Sequence, residues 1–307
     1  MNKLKVHEPV MVNEVLHFLQ LNRFSKTKKK VVVDATVGAG GHAIELIKKG
    51  FFVLGIDADK EMLAIAEKNL KKACPVPVSH RDQCFKLLHG NFRKIDSLIG
   101  DQVKSELIGI YFDLGVSSYH FDKSSRGFSY KDPNALLDMR LEGNKNALKA
   151  SDLLNSLRKE QLQMLFREVV GYKLANKISA EVIKKREITL FSKVADFLEV
   201  LEKVNMGTSH IHSATKPFMA LRMAVNSELE NLKEALPRAF EKLNTGGRLV
   251  IISFHSGEDR IVKEIFKGFE EKSDGKIITK KAIKPSQKEI AVNARSRSAK
   301  LRAIEKL

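Results

Sequence analysis

Apolar and polar positions along the chain follow two different periods, and where the period changes outlines the architecture. Between residues 31 and 113 four short apolar runs recur, at 31–33, 51–56, 84–88 and 107–112. Runs of this length, rich in Val, Ile, Leu and Phe, predict buried strands. The segments between them place apolar side chains three and four residues apart. Residues 43–49 form one such segment, 60–71 a second (Met62, Leu63, Ile65, Ala66 and Leu70 facing inward), and a short helix precedes the fourth run. A leading helix over 12–21 has Val12, Val15, Leu16 and Leu19 on one face. Strands alternating with helices predict a parallel sheet covered on both faces.

From about residue 129 to 209 the period is helical throughout: 158–169, stopped by Gly171, then 174–186 and 192–204. Strand–helix alternation then resumes. A helix is expected over 212–226 with Pro217 in its first turn, and another over 229–243 with a break near Pro237. A stop at Gly246-Gly247 leads to a strand at 248–254, and a helix follows at 259–269. An edge strand at 276–281 lies in the polar, lysine-rich stretch 271–294, and a last strand at 299–304. The pattern predicts an α/β, Rossmann-like sheet with helices on both faces and an inserted all-helical domain. The expected division is a discontinuous domain of residues 1–128 and 210–307, with 129–209 inserted as a substrate-recognition domain.

Composition narrows the partners. With 54 Lys and Arg against 37 Asp and Glu, the 307-residue chain carries a formal charge of +17. Such a balance points to a polyanion such as nucleic acid, or to lysine-rich solvated helix faces. Cys74 and Cys84 have neither metal nor redox spacing, which fits a reducing cytoplasm. No apolar run approaches the ~20 residues that cross a bilayer, and no signal-peptide core is present, so a soluble cytoplasmic protein without membrane contact is expected. The oligomeric state stays open, with a homodimer among the options.

Four constellations could carry chemistry. The first is the glycine loop Thr36-Val37-Gly38-Ala39-Gly40-Gly41-His42 after strand one, with Asp57 ending strand two. Glycines let a ligand approach the backbone, and an acid at that strand end can accept from both ribose hydroxyls, so a nucleoside-containing cofactor is expected. Gly38-x-Gly40-x-x-Ala43 also fits a loose dinucleotide fingerprint. Phe92, after strand three, could stack on an adenine or fill the core. The second is Asp113-Leu114-Gly115-Val116-Ser117-Ser118 at the carboxyl end of strand four, followed by a loop holding Arg126-Gly127-Phe128-Ser129. The strand end borders the active site in open sheets, and the loop suits a nucleobase and its phosphate. The third is His255 with Asp259 after strand five, as general base or as helix cap. The fourth is Arg295-Ser296-Arg297, where alternation on a strand would put both arginines on one phosphate-facing side; Lys216 and Arg222 are weaker basic candidates. Scattered acids and nine histidines show no metal spacing.

Taken in order, these strings resemble a known family, the bacterial small-subunit (16S) ribosomal RNA cytosine-N4 methyltransferases. The resemblance rests on His7-Glu8-Pro9-Val10-Met11, Asp34 through His42, Asp113 through Ser118, Arg126 through Ser129 and Leu137-Asp138-Met139-Arg140. It continues with Ala220-Leu221-Arg222, Val225-Asn226, Ile252 through Ser256 and Arg295 through Leu301. The segment around Lys145 and residues 271–294 match less well. The resemblance implies a class I methyltransferase fold using S-adenosyl-L-methionine and no metal. It implies that Gly38, Gly40, Gly41, His42, Asp57, Phe92 and Asp113 line the donor site. His120 stands where the family has a glutamine, and an imidazole cannot donate and accept at one end as an amide can. The implied substrate is a cytidine in the decoding centre, within folded RNA or the assembled small subunit. Arg126, Phe128, Arg140, Lys216, Arg222, His255, Arg295 and Arg297 are the expected RNA contacts.

The cytosine amine is a weak nucleophile because its lone pair is delocalised. Asp113, or a nearby backbone carbonyl, is expected to accept from it, with Ser117 and Ser118 positioning the base. Three other readings compete. A nicotinamide-dependent oxidoreductase would use the same loop but lacks a recognisable hydride-transfer site here. A DNA cytosine-N4 methyltransferase would carry a Pro-Pro turn after strand four. A non-catalytic RNA-binding assembly factor would keep the pocket without turnover.

Overall fold

The computed structural model describes residues 9–20, 30–75, 84–100, 103, 107–143, 147–204 and 213–307. The expectations for His7-Glu8, the basic linker at 26–29, the segment around Lys145 and the start of the 212–226 helix lie outside these residues. Two compact units result, one of Met1–Gly115 with Leu229–Leu307, the other of Val116–Glu228.

The first unit is built on seven strands: β1 (Val31–Asp34), β2 (Phe52–Asp57), β3 (Phe85–His89), β4 (Leu107–Asp113), β5 (Arg248–Ser253), β6 (Gly275–Ile277) and β7 (Lys300–Lys306). Their order is β3-β2-β1-β4-β5-β7-β6, with the first five parallel and β7 antiparallel to both neighbours. The order reverses between β1 and β4, so a crevice opens at the carboxyl ends of these two strands. Alternation along each strand feeds two cores. Val31 and Val33 point into one, with Leu249 and Ile251; Val32 points into the other, with Val250 and Ile252. The second face is covered by α1 (Val12–Leu19), α2 (Gly41–Lys48) and α3 (Lys60–Ala73). The first is covered by α4 (Ile95–Ile99) and two later helices, Glu228–Lys242 and Ser256–Glu271.

The second unit is helical: α5 (Ser118–Asp122), α6 (Ala150–Ser156), α7 (Lys159–Val170), α8 (Tyr172–Ile188), α9 (Val194–Val204) and α10 (Thr215–Val225). Phe166 stacks on Phe197 at 5.9 Å and Phe197 leans on Phe218 at 5.4 Å, at the centre of its own core. The later helices are α11 (Glu228–Lys242), α12 (Ser256–Glu271) and α13 (Gln287–Val292).

Three expectations are corrected. Pro237 does not break α11, which runs through it. Leu232, Ala235, Leu236, Ala239 and Phe240 are buried on both sides of the proline, and that burial offsets the ~3 kcal/mol of an internal proline. Arg295 and Arg297 lie on a 3-10 helix, Ala294–Ser298, not on a strand. Three residues per turn put positions two apart on different sides, so the shared face is lost. Cys74 and Cys84 are joined in a disulfide between the end of α3 and the start of β3. Sequence spacing does not reveal this pairing. Closing so short a loop restricts the unfolded chain, so a strong reductant should lower the unfolding free energy by about 2–3 kcal/mol. Denaturant titration with and without reductant, alongside a thiol count, measures this; equal midpoints would contradict it.

Candidate active site

The loop between β1 and α2 is held by groups of β2 and β4. Val37 N–H donates to Ile56 C=O at 2.9 Å, and Gly38 N–H donates to Asp57 Oδ2 at 2.9 Å. The other oxygen, Asp57 Oδ1, accepts from Asp59 N–H at 2.8 Å. Asp59 in turn caps α3 by accepting from Glu61 N–H at 2.8 Å. Gly38 and Gly40 have φ of +51° and +87°, a region that side chains disfavour. A Cβ at Gly41 would stand 3.0 Å from Pro9, so glycine there admits the N-terminal segment.

His42, in the first turn of α2, is buried. Its Nε2 lies 2.8 Å from Val10 C=O, and since a carbonyl only accepts, Nε2 carries the proton. Nδ1 then faces Asp113 Oδ2 at 3.8 Å. His42 thus ties the N-terminal segment to the loop and turns its other nitrogen to the end of β4. Phe92, on the 3-10 turn Phe92–Lys94, meets Phe112 edge to face at 5.6 Å and packs on the core.

Asp113 ends β4 with its backbone N–H donating to Thr36 Oγ1 at 2.7 Å. Its Oδ1 is buried and has no hydrogen-bond partner among the described residues. Burial, then the negative charges of Asp34 and Glu258, push its pKa well above the usual carboxylate range. Asp34, fully buried at the end of β1, accepts from the Tyr111 hydroxyl and from Thr36 N–H at 3.2 Å. Desolvation outweighs these bonds and pushes it up to about 7. The Tyr111 phenol is raised well above its ordinary value, by burial and then by Asp34.

His255 resolves as a cap: its Nδ1 accepts from Glu258 N–H at 3.4 Å at the start of α12. Glu258 Oε2 returns the bond to His255 N–H at 3.2 Å and also holds Phe254 N–H at 2.8 Å. Asp259 pairs with Arg302 at 2.7 Å and Lys300 at 3.2 Å.

In the helical unit, Ser117 Oγ accepts from Tyr119 N–H at 3.3 Å as the cap of α5, and Ser118 begins that helix. His120 is buried with its ring 5.0 Å from Phe128, itself a core residue. Arg126 donates to Arg140 C=O at 3.0 Å and lies 5.5 Å above the Phe128 ring. Arg140 grips Asp138 through two bonds of 2.7 Å, and Arg222 grips Glu228 at 2.7 and 2.8 Å. Burial works against the Asp138 charge, but Arg140 more than compensates and holds the carboxyl below its usual value. Lys216 is exposed. These arginines therefore brace the unit from within.

The model of one family, the MraW methylase family, matches residues 5–307. The chain belongs to that family. A relative from Dictyoglomus thermophilum, named Ribosomal RNA small subunit methyltransferase H, is 40% identical over 304 residues, 98% of this chain and 97% of its own. A relative of the same name from Persephonella marina is 37% identical over 306 residues, 98% and 99% of the two chains. The sheet with helices on both faces is the Rossmann-like α/β arrangement expected from the sequence; the antiparallel β7 was not part of that expectation.

Within the methylase sheet, Gly38, Gly40, Gly41, His42, Asp57, Phe92 and Asp113 all fall on the loops and strand ends of the crevice side. The Asp34–Tyr111–Thr36 group beneath them was not foreseen. A signal existed: Tyr111 precedes Asp113 by two residues on one strand, hence on the same face, and a strand end opposite carries Asp34 in register with Tyr111. Because Asp34 has a raised pKa in the fold, the unfolded chain releases its proton first as pH rises. Stability is therefore lost between about pH 4 and pH 7, by roughly 4 kcal/mol at most. Asp34→Asn should flatten that part of the stability–pH curve in denaturant titrations; a curve superimposable on wild type would refute the assignment.

Proposed function

We propose that the protein transfers a methyl group from S-adenosylmethionine to the exocyclic N4 of a cytidine in small-subunit (16S) ribosomal RNA, in the decoding centre. The observation that carries the reading is the unpartnered, buried Asp113 carboxyl oxygen at the strand end facing a glycine loop, in a chain that matches the methylase family end to end. The names of the relatives supply the ribosomal RNA.

The residues fit such a donor. An orphaned carboxyl oxygen calls for an N–H or a cationic ligand, and S-adenosylmethionine has both. At Gly38 a side chain would meet nothing nearer than Thr36 C=O at 3.8 Å, so the backbone there is open to a ligand, while Gly40 and Gly41 let Leu70 and Pro9 pack behind the loop; Asp57 lies at the strand end suited to ribose hydroxyls. Phe92 would lie by the adenine; His42 steadies the loop. His120 takes the place of the family glutamine, and its ring packs on Phe128 in the core of the helical unit. When bound, S-adenosylmethionine supplies an electrophilic methyl group on a positively charged sulfur.

Asp113 acts on the amine. A carboxyl group pushed up by burial is, once ionised, a stronger base than one in water, and a nearby cation favours that ionised form. In either protonation state an oxygen of Asp113 can accept an N–H of cytosine, localising the nitrogen lone pair for in-line attack. Ser117 and Ser118, a few residues on, position the base; exposed Lys216 is left to meet RNA, while Arg126, Arg140 and Arg222 act by bracing the helical unit from within. His255 holds the turn after β5. The substrate is folded RNA or the assembled subunit.

Asp113→Ala should reduce transfer by about a hundredfold or more while leaving the fold intact. Nucleoside mass spectrometry of small-subunit RNA, with and without the enzyme, reads the product. Near-wild-type turnover by the variant would overturn the role of Asp113, and absence of N4-methylcytidine with the wild type would overturn the reaction. Binding of S-adenosylhomocysteine but not NAD is expected in equilibrium titration.

A further inference from the structure

We infer that residues 280–297 form a second docking surface for RNA, taking the sugar–phosphate backbone on the methyltransferase sheet itself, apart from the helical unit. The inference rests on the proposed RNA substrate. Lys280, Lys281, Lys284, Lys288, Arg295 and Arg297 are all exposed, and Glu289 is the one acid among residues 280–297. That acid is spent on the fold: Glu289 Oε1 accepts from Met11 N–H at 2.6 Å. Lys280, Lys281, Lys284, Lys288 and Arg297 have no ion-pair partner among the described residues. Lys300 and Arg302, immediately after, share the Asp259 carboxylate. Those five cations are therefore presented to solvent without a counter-charge among the described residues.

Position supports the same partner. The Met11 that Glu289 holds belongs to the segment whose Pro9 packs on Gly41 and whose Val10 carbonyl binds His42. Lys300, which follows the 3-10 turn, pairs in register with Ser253, and Ile252 pairs with Asp113 on the other side of β5. The start of β7 thus lies at the end of the sheet that carries Asp113, two strands over, on the order of 10 Å at the usual strand spacing, and the 3-10 turn with Arg295 and Arg297 leads directly into it. Phosphates contacted there belong to RNA flanking the target base. Proline and the Ser286 cap of α13, which accepts from Glu289 N–H at 3.2 Å, hold the strip in a defined shape.

The test is binding of full-length protein to small-subunit ribosomal RNA at several salt concentrations. Lys284→Gln/Lys288→Gln/Arg297→Gln should weaken binding at least tenfold at 0.15 M salt. It should also lower the slope of log K against log salt by about 2, since each phosphate contact contributes about 0.7 to 0.9. Affinity for S-adenosylhomocysteine should not change. A control, Lys68→Gln/Lys72→Gln/Lys263→Gln, removes equal charge from α3 and α12 and should leave the slope within about 1 of wild type. Equal losses in both triple variants, or unchanged RNA binding as expected if an acidic protein occupies the strip, would overturn the inference. So would loss of S-adenosylhomocysteine binding in the first variant, which would mark a role in the fold. The readout is binding, so failure of the methyl-transfer reading shows separately, as missing product with wild type.

Discussion

One carboxylate, Asp57, holds the arrangement together. Both its oxygens are taken by backbone N–H groups, from Gly38 on the loop and from Asp59 at the head of α3. Charge-assisted bonds of this kind are stronger than those between neutral groups. They join the end of β2 to the glycine loop on one side and to the helix on the other. The circuit then closes by packing. A Cβ at Gly40 would meet Leu70 of α3 at 3.2 Å, and Asn69 of that helix donates to Ala39 C=O at 2.9 Å. A loop with two positive φ values is thus kept in one conformation from three directions, so little ordering remains for a ligand to impose.

Beneath this circuit the strand ends concentrate acids where water does not reach. Asp34 and Glu258 raise the proton affinity of Asp113, and Asp57 raises that of Asp34, with burial the largest influence on both Asp34 and Asp113. Tyr111 and Thr36 satisfy Asp34, and backbone amides satisfy Glu258, while Asp113 keeps an unused oxygen. An interior that leaves a polar atom unpaired sacrifices stability at that point. Such a sacrifice is characteristic of positions where a ligand, not the fold, completes the hydrogen bonding.

The sheet was legible because its strands are short apolar runs bounded by glycines and acids; the boundaries of β1, β2 and β4 fall within a residue of those expected. Strand ends also revealed Asp57 and Asp113, since parallel topology dictates where such residues lie. What the sequence concealed are the partners that side chains find across nearby turns and loops. Nothing local tells that Arg222 would grip Glu228, that Arg126 would reach the Arg140 carbonyl, or that Cys74 would meet Cys84. A basic residue in a motif looks the same whether it faces RNA or a carboxylate. Pro237 misled for a related reason: propensity argued for a break, and burial on the sheet overrode it. The alternation at Arg295–Arg297 suggested a strand, but Asn293 caps a 3-10 turn there, its side chain accepting from Arg295 N–H at 3.3 Å.

The position of β4 between β1 and β5 has a consequence for synthesis on the ribosome. β1 emerges before β4 and can pair with it at once, but the other neighbour, β5, lies beyond residues 114–247. Until those residues are translated, the inner edge of β4 is an open template for any extended chain nearby. The helical unit, with its own aromatic core, falls wholly within that interval and can condense meanwhile. The strand that carries Asp113 is therefore made well before the neighbour that encloses it. A nascent chain stalled before β5 would be more prone to aggregate than one stalled after it.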